Sequence, residues 1–104
     1  MSANPDFDTQ QKIKPNYALQ EPPLYRVIYI NDEVTTMEFV VDSLVEYFNY
    51  NPDTASNITT DIHRDGSAIV AVLPYEIAEQ KGIEVTLDAR GKGYPLQIKV
   101  EAEL

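Results

Sequence analysis

Three strand-sized apolar runs set what this chain can fold into: Leu24–Ile30 (LYRVIYI), Ala68–Leu73 (AIVAVL) and the alternating Leu96–Glu101. Each is too short to cross a bilayer, and each is rich in residues that suit a pleated, half-buried surface. The first, broken only by Arg26, reads as a central strand buried on both faces. The third sets Leu96, Ile98 and Val100 against Gln97, Lys99 and Glu101, a strand with one face in the core.

Between the runs the apolar period becomes helical. Met37, Val40, Val41, Leu44, Val45 and Phe48 share one face, and Thr35 with Glu38 fits a capping box, which predicts a helix at about 36–48. Asn51-Pro52-Asp53 is a second start signal, Ala55, Ile58 and Ile62 continue it, and Asp65-Gly66 stops it. Pro74 opens a third helix over 75–90, ending near Gly91. That helix is the least marked, because Gly82 inside it costs about 1 kcal/mol relative to Ala and Val85-Thr86-Leu87 tolerates an extended state. The order β-α-α-β-α-β predicts an α+β two-layer domain: a three-stranded antiparallel sheet packed with three helices.

The 104 residues leave room for one such domain, placed at 24–104. Residues 1–23 read as a disordered tail, with Asn4-Pro5, Lys14-Pro15 and Pro22-Pro23, mixed charges, and no helical or strand period. Phe7, Tyr17 and Leu19 are scattered apolar points there, either docking points for a partner or part of a solvated terminus.

A formal net charge of -9 argues against nucleic acid and against anionic membrane surfaces. It suits a cationic ligand, such as a free α-amino group, or serves solubility alone. The chain has no cysteine and one histidine, which removes disulfides, thiolate zinc sites, cysteine nucleophiles and multi-histidine metal sites. No cofactor and no metal are expected. No run resembles a signal peptide or membrane span, so a cytoplasmic location is the default expectation.

Polar residues collect at element ends. Asn31 and Asp32 leave the first strand, Thr35 starts the first helix, and His63 closes the second. If the second helix doubles back beside the first, His63 approaches the 31–35 turn, with apolar Met37, Val40 and Ile62 nearby. An acceptor cluster beside an oily hollow is what an N-terminal residue needs, because its ammonium offers three donors and its side chain offers area to bury. Each residue also has a plain structural role. Asn31-Asp32 is an ordinary turn pair, Thr35 a helix cap, and His63 a cation at a helix C-terminus.

The segment Tyr25 to Val41 (YRVIYINDEVTTMEFVV) resembles the hallmark of the ClpS family, usually Y-K-V-I-L-x-N-D-D-x-T-P-M-E-F-V. Further matches follow in family order: Ala55 through His63 with Gly66, Ala68–Val72 with Glu76–Lys81, and Ala89-Arg90 with Tyr94-Pro95-Leu96. The likeness spans about residues 23 to 101. ClpS proteins are adaptors that recognise N-degrons, chiefly N-terminal Leu, Phe, Tyr and Trp, and deliver them to the ClpA or ClpC unfoldase of the bacterial or plastid Clp protease. The resemblance implies that Asn31, Asp32 and His63 contact the α-amino group and first peptide bond. It implies a side-chain pocket bordered by Thr35, Met37, Val40, Thr59, Ile62 and Leu96, and an unfoldase interface at Glu76 and Lys81. The tail resembles the segment that engages the unfoldase during delivery, and a bacterial cytoplasm or plastid stroma is the implied location.

Three positions depart from the pattern. Glu33 replaces an Asp, which keeps charge and adds reach; Thr36 replaces a Pro, which is expected to loosen the turn before the helix; and Thr59 stands where many members have Met. The last is expected to leave room near the Cβ of a bound residue. Two other classes compete. A hydrolase using Asp32 and His63 lacks a cysteine, a metal set, and a serine beside a base. A docking domain that binds the unfoldase without gripping N-termini would have lost the pocket, yet Asn31, Asp32 and His63 are all present.

Overall fold

The computed structural model describes residues 22–104; the expected tail, apart from Pro22 and Pro23, lies outside the described residues. The elements are β1 (Leu24–Ile30), α1 (Met37–Phe48), α2 (Pro52–Asp65), β2 (Ser67–Pro74), α3 (Tyr75–Gly91) and β3 (Gln97–Ala102). The strands pair antiparallel in the order β2-β1-β3, so the first apolar run is central, as its composition predicts.

Its burial is one-sided. Val27 and Tyr29 are fully buried, opposite Ala71 and Ala68 on β2 and Val100 and Ile98 on β3. These residues share one core with Leu44 from α1, Ile62 from α2 and Val85 from α3. The other face carries Arg26, Ile28 and Ile30, only half-buried, and its β2 neighbours Ile69 and Val72 are exposed. The expected burial on both faces therefore fails: the helices pack on one side of the sheet, and alternation, masked in β1 by its apolar composition, decides which residues they cover.

Two polar devices tie this core together. The β1–β2 register slips between Val27 and Ile28 and leaves Val70 as an extra residue on β2. The carbonyl of Val70 accepts a 2.6 Å hydrogen bond from the Tyr50 hydroxyl. The buried Tyr29 hydroxyl sits 2.7 Å from Ser43 Oγ, and Ser43 in turn donates to the Val40 carbonyl at 2.8 Å. Tyr29 is thus satisfied where an orphaned hydroxyl would cost about 1–3 kcal/mol.

The helix starts are legible, with one correction. Asn51 caps α2 through a 2.8 Å bond from the Thr54 N–H, and Pro52 fills the first turn. The N-cap of α1 is Thr36, whose Oγ1 accepts from the Phe39 N–H at 3.1 Å, and not Thr35. Thr35 is engaged by Asp32 instead. Thr36, where the resembled pattern has Pro, therefore supplies a cap that Pro has no hydroxyl to make. Both α1 and α2 end in left-handed residues, Asn49 (φ 62) and Gly66 (φ 90). The third helix forms in full despite Gly82, which is buried against β3.

Candidate functional site

At the exit of β1 the chain turns on a single carboxylate. Asp32 Oδ1 accepts from the N–H groups of Val34 (2.8 Å) and Thr35 (2.6 Å), and Oδ2 accepts from the Thr35 hydroxyl (2.8 Å). Burial pushes the Asp32 carboxyl up, but the Thr35 and Val34 hydrogen bonds, helped by the charge of Arg90, hold it below its ordinary value. Asp32 is therefore a firm anion at neutral pH. A carboxylate has about four lone-pair positions, so three local bonds leave one direction open.

The turn is pinned to α2. The Asn31 N–H donates to the Gly66 carbonyl at 2.9 Å, which places the end of β1 against the C-terminal end of α2. His63 stands in the last turn of that helix, exposed, and the Asn31 side chain is exposed too. The expected doubling back of α2 is thus what brings Asn31, Asp32 and His63 to one end of the domain. The helix C-terminus adds partial negative charge there. Arg64, the other cation in that turn, is already paired with Asp61 (3.0 Å) and Asp65 (2.9 Å).

Four of the residues implied for the pocket are buried. Val40 (6% exposed), Thr59 (3%), Ile62 (2%) and Leu96 (1%) come from α1, α2 and the segment before β3. Met37, at 47%, is the only one of the six implied pocket residues to stand largely in solvent; Thr35 is half-buried. The Thr59 hydroxyl donates back to the Ala55 carbonyl at 2.8 Å, so its polar atom is spent inside α2.

Arg90 belongs to this group although the sequence reading assigned it no role. Its Nη1 donates to the carbonyls of Tyr94 and Leu96, each at 2.9 Å, and so fastens the segment that carries Leu96 to α3. Tyr94 packs on Phe39 of α1, ring centroids 5.4 Å apart. Its two bonds are local, to carbonyls four and six residues on; the match of Ala89-Arg90 with Tyr94-Pro95-Leu96 is the one sequence signal for it.

Glu76 and Lys81 are not part of this cluster. Glu76 is exposed in the first turn of α3, just after Pro74, the β2 residue opposite Leu24. Glu76 therefore lies near the entry end of β1, about 20 Å from the exit turn, and Lys81 lies further along α3, beside Ile77, Val70 and Ala71. Among the described residues no group of acids and histidine could hold a metal ion, and no helix is long and apolar enough to cross a membrane.

This arrangement of a pinned polar turn, a helix C-terminus and an apolar floor occurs on a chain whose residues 20–99 match the family model described as ATP-dependent Clp protease adaptor protein ClpS. A Clostridium acetobutylicum ATP-dependent Clp protease adapter protein ClpS is 43% identical over 98 residues, covering 94% of this chain and 95% of that one. Its Campylobacter jejuni counterpart is 44% identical over 85 residues, covering 82% and 88%. The solved structure of Agrobacterium tumefaciens ClpS2 bound to L-phenylalaninamide superposes with a TM-score of 0.77 at 38% identity, covering 80% of this chain and all of that chain. The chain belongs to the ClpS family of Clp protease adaptors.

Proposed function

We propose that this adaptor grips the free N-terminus of proteins whose first residue is bulky and hydrophobic (Leu, Phe, Tyr or Trp) and delivers them to a ClpA- or ClpC-type unfoldase. The observation that supports this reading is a carboxylate, Asp32, with one acceptor direction unused, in a turn pinned through Asn31 to the end of the helix that carries His63. Phenylalaninamide, the ligand in the Agrobacterium structure, offers an ammonium and one benzyl side chain, the two features such a site selects.

The ammonium donates to Asp32, to the Asn31 side-chain oxygen and to a His63 ring nitrogen, and the side chain enters between α1, α2 and Leu96 past Met37. A fully buried Leu- or Phe-sized side chain is worth roughly 1.5–3 kcal/mol, and each charge-assisted hydrogen bond about 1.5–3 kcal/mol. After association costs these sum to micromolar affinity. Every group on the list binds and none reacts, so the role is non-catalytic and intact recovery of the peptide is expected. Glu76 and Lys81, both on α3 and outside the Asp32 turn, would face the unfoldase while the degron end stays free. The setting is a bacterial cytoplasm or a plastid stroma.

Thr59 tunes the pocket. With its hydroxyl turned back to Ala55, it presents a methyl where a longer side chain would reach the mouth, leaving room for a branch at Cβ. Peptides beginning with Ile or Val are therefore expected to bind within about tenfold of Leu peptides; strict rejection of Ile would refute this. Fluorescence anisotropy with free and N-acetylated Phe peptides tests the whole reading. Binding that survives acetylation, or no binding to any free N-terminus, would leave a docking domain that meets the unfoldase alone.

A further inference from the structure

One buried pair of hydroxyls stands outside the site residues described so far. Tyr29 on β1 and Ser43 on α1 are both buried, with their oxygens 2.7 Å apart. Ser43 has a single proton and gives it to the Val40 carbonyl at 2.8 Å, so Tyr29 is the donor between them. Burial pushes the Tyr29 phenol well above its ordinary value, so it keeps that proton at neutral pH. The donors are then spent, but the acceptors are not. A hydroxyl oxygen has two lone pairs; Ser43 Oγ uses one and, among the described residues, Tyr29 Oη uses none. Tyr29 also stands where the resembled pattern has Leu, which would bring no polar atom here.

The pair lies along the line of the side-chain pocket. Val40, implied for the pocket wall, is the residue whose carbonyl Ser43 holds. Ser43 follows Val40 by one helical turn and Met37 by two, about 9 Å along α1. Tyr29 precedes Asn31 by two residues, about 7 Å back along β1. Tyr29, Val40, Ile62 and Leu96 belong to one core cluster, and Phe48, at the far end of α1, backs the Tyr29 ring with centroids 6.2 Å apart. A tyrosine held at the Asn31–Asp32 turn by its ammonium is long enough to carry its own hydroxyl to this depth. It arrives as a donor where only acceptors are left, whereas Phe and Leu bring no donor.

We propose that Tyr29, held by Ser43, forms a polar base to the side-chain pocket and makes this adaptor favour N-terminal Tyr over Phe. This rests on the reading that the chain grips free N-termini. The ligand phenol donates to Tyr29 Oη and leaves the Tyr29–Ser43 bond in place. Because the pair's own protons are bonded without a ligand, Phe still binds, and the preference is that of one neutral hydrogen bond, about three- to tenfold.

Anisotropy competition on the full chain, with peptides differing only in their first residue, tests this: Tyr, Phe or 4-fluorophenylalanine. The last is close to Tyr in size and has no donor. Tyr is expected to bind about three- to tenfold tighter than Phe, with the fluoro peptide close to Phe, and Tyr29→Phe should bring the Tyr-to-Phe ratio to about one. A purely structural role for Tyr29 would weaken both peptides together and leave that ratio alone. Tyr binding no tighter than Phe, a fluoro peptide that matches Tyr, or a ratio unchanged by Tyr29→Phe would each overturn the proposal and leave N-terminal recognition standing. Failure of every free N-terminus to bind would overturn both.

Discussion

The two ends of β1 solve opposite problems. At the exit, Asp32, Thr35 and Gly66 fix a polar turn by short hydrogen bonds. At the entry and along α3, apolar Tyr75, Ile83 and Leu87 stand in solvent. One region has its hydrogen-bond acceptors fixed in advance; the other is apolar surface with no cover among the described residues. The difference teaches that recognition of a small cation rests on acceptors held rigid beforehand, whereas exposed apolar surface alone specifies no ligand.

The comparison breaks most sharply at Asp32. Asp32→Ala removes the anion and the three bonds that hold the turn, so affinity for a Phe-initiated peptide should fall by about 10–100-fold, as loss of a charge-assisted bond requires. The α3–β3 flank should be unaffected, and parallel anisotropy and amide spectra would check both halves.

A smaller effect comes from pH. Because Asp32 is held below its ordinary value in the fold, its contribution is complete above the ordinary carboxylate value of about 4 and is lost as pH falls through the lowered one. Acid unfolding of Asp32→Asn should therefore be less pH-dependent in that window.

Arg90→Gln sharpens the comparison within the site. It frees the Tyr94 and Leu96 carbonyls without touching Asn31 or His63. Weaker binding of Leu and Phe by a few-fold, with the acetylation penalty retained, is the expected calorimetric result. The smallest effect is Gly82→Ala. Its Cβ would meet Ile98 and Val100 at ordinary contact distance, so relief of the glycine penalty should stabilise the domain by about 0.5–1 kcal/mol in urea unfolding.

The sequence marks the elements within a residue or two because caps and periodicity are local. It misassigns the α1 cap because Thr35 and Thr36 are adjacent hydroxyls, and Asp32 takes the first for its own turn, a competition decided only by geometry. Asn31, Asp32 and His63 are legible as residue types at element ends. Their approach depends on the Asn31–Gly66 bond, which joins positions 35 apart in the chain. The role of Arg90 is not legible, because an arginine near a helix end marks no particular partner until the turn at Tyr94–Leu96 folds its carbonyls back onto it.

The most direct measurement is anisotropy of labelled peptides starting with Phe, Leu, Ile or Ala, each beside its N-acetylated copy. Micromolar or tighter binding of the free Phe and Leu peptides, lost on acetylation and absent for Ala, is the predicted result. Equal binding of free and acetylated peptides would contradict the account at its centre.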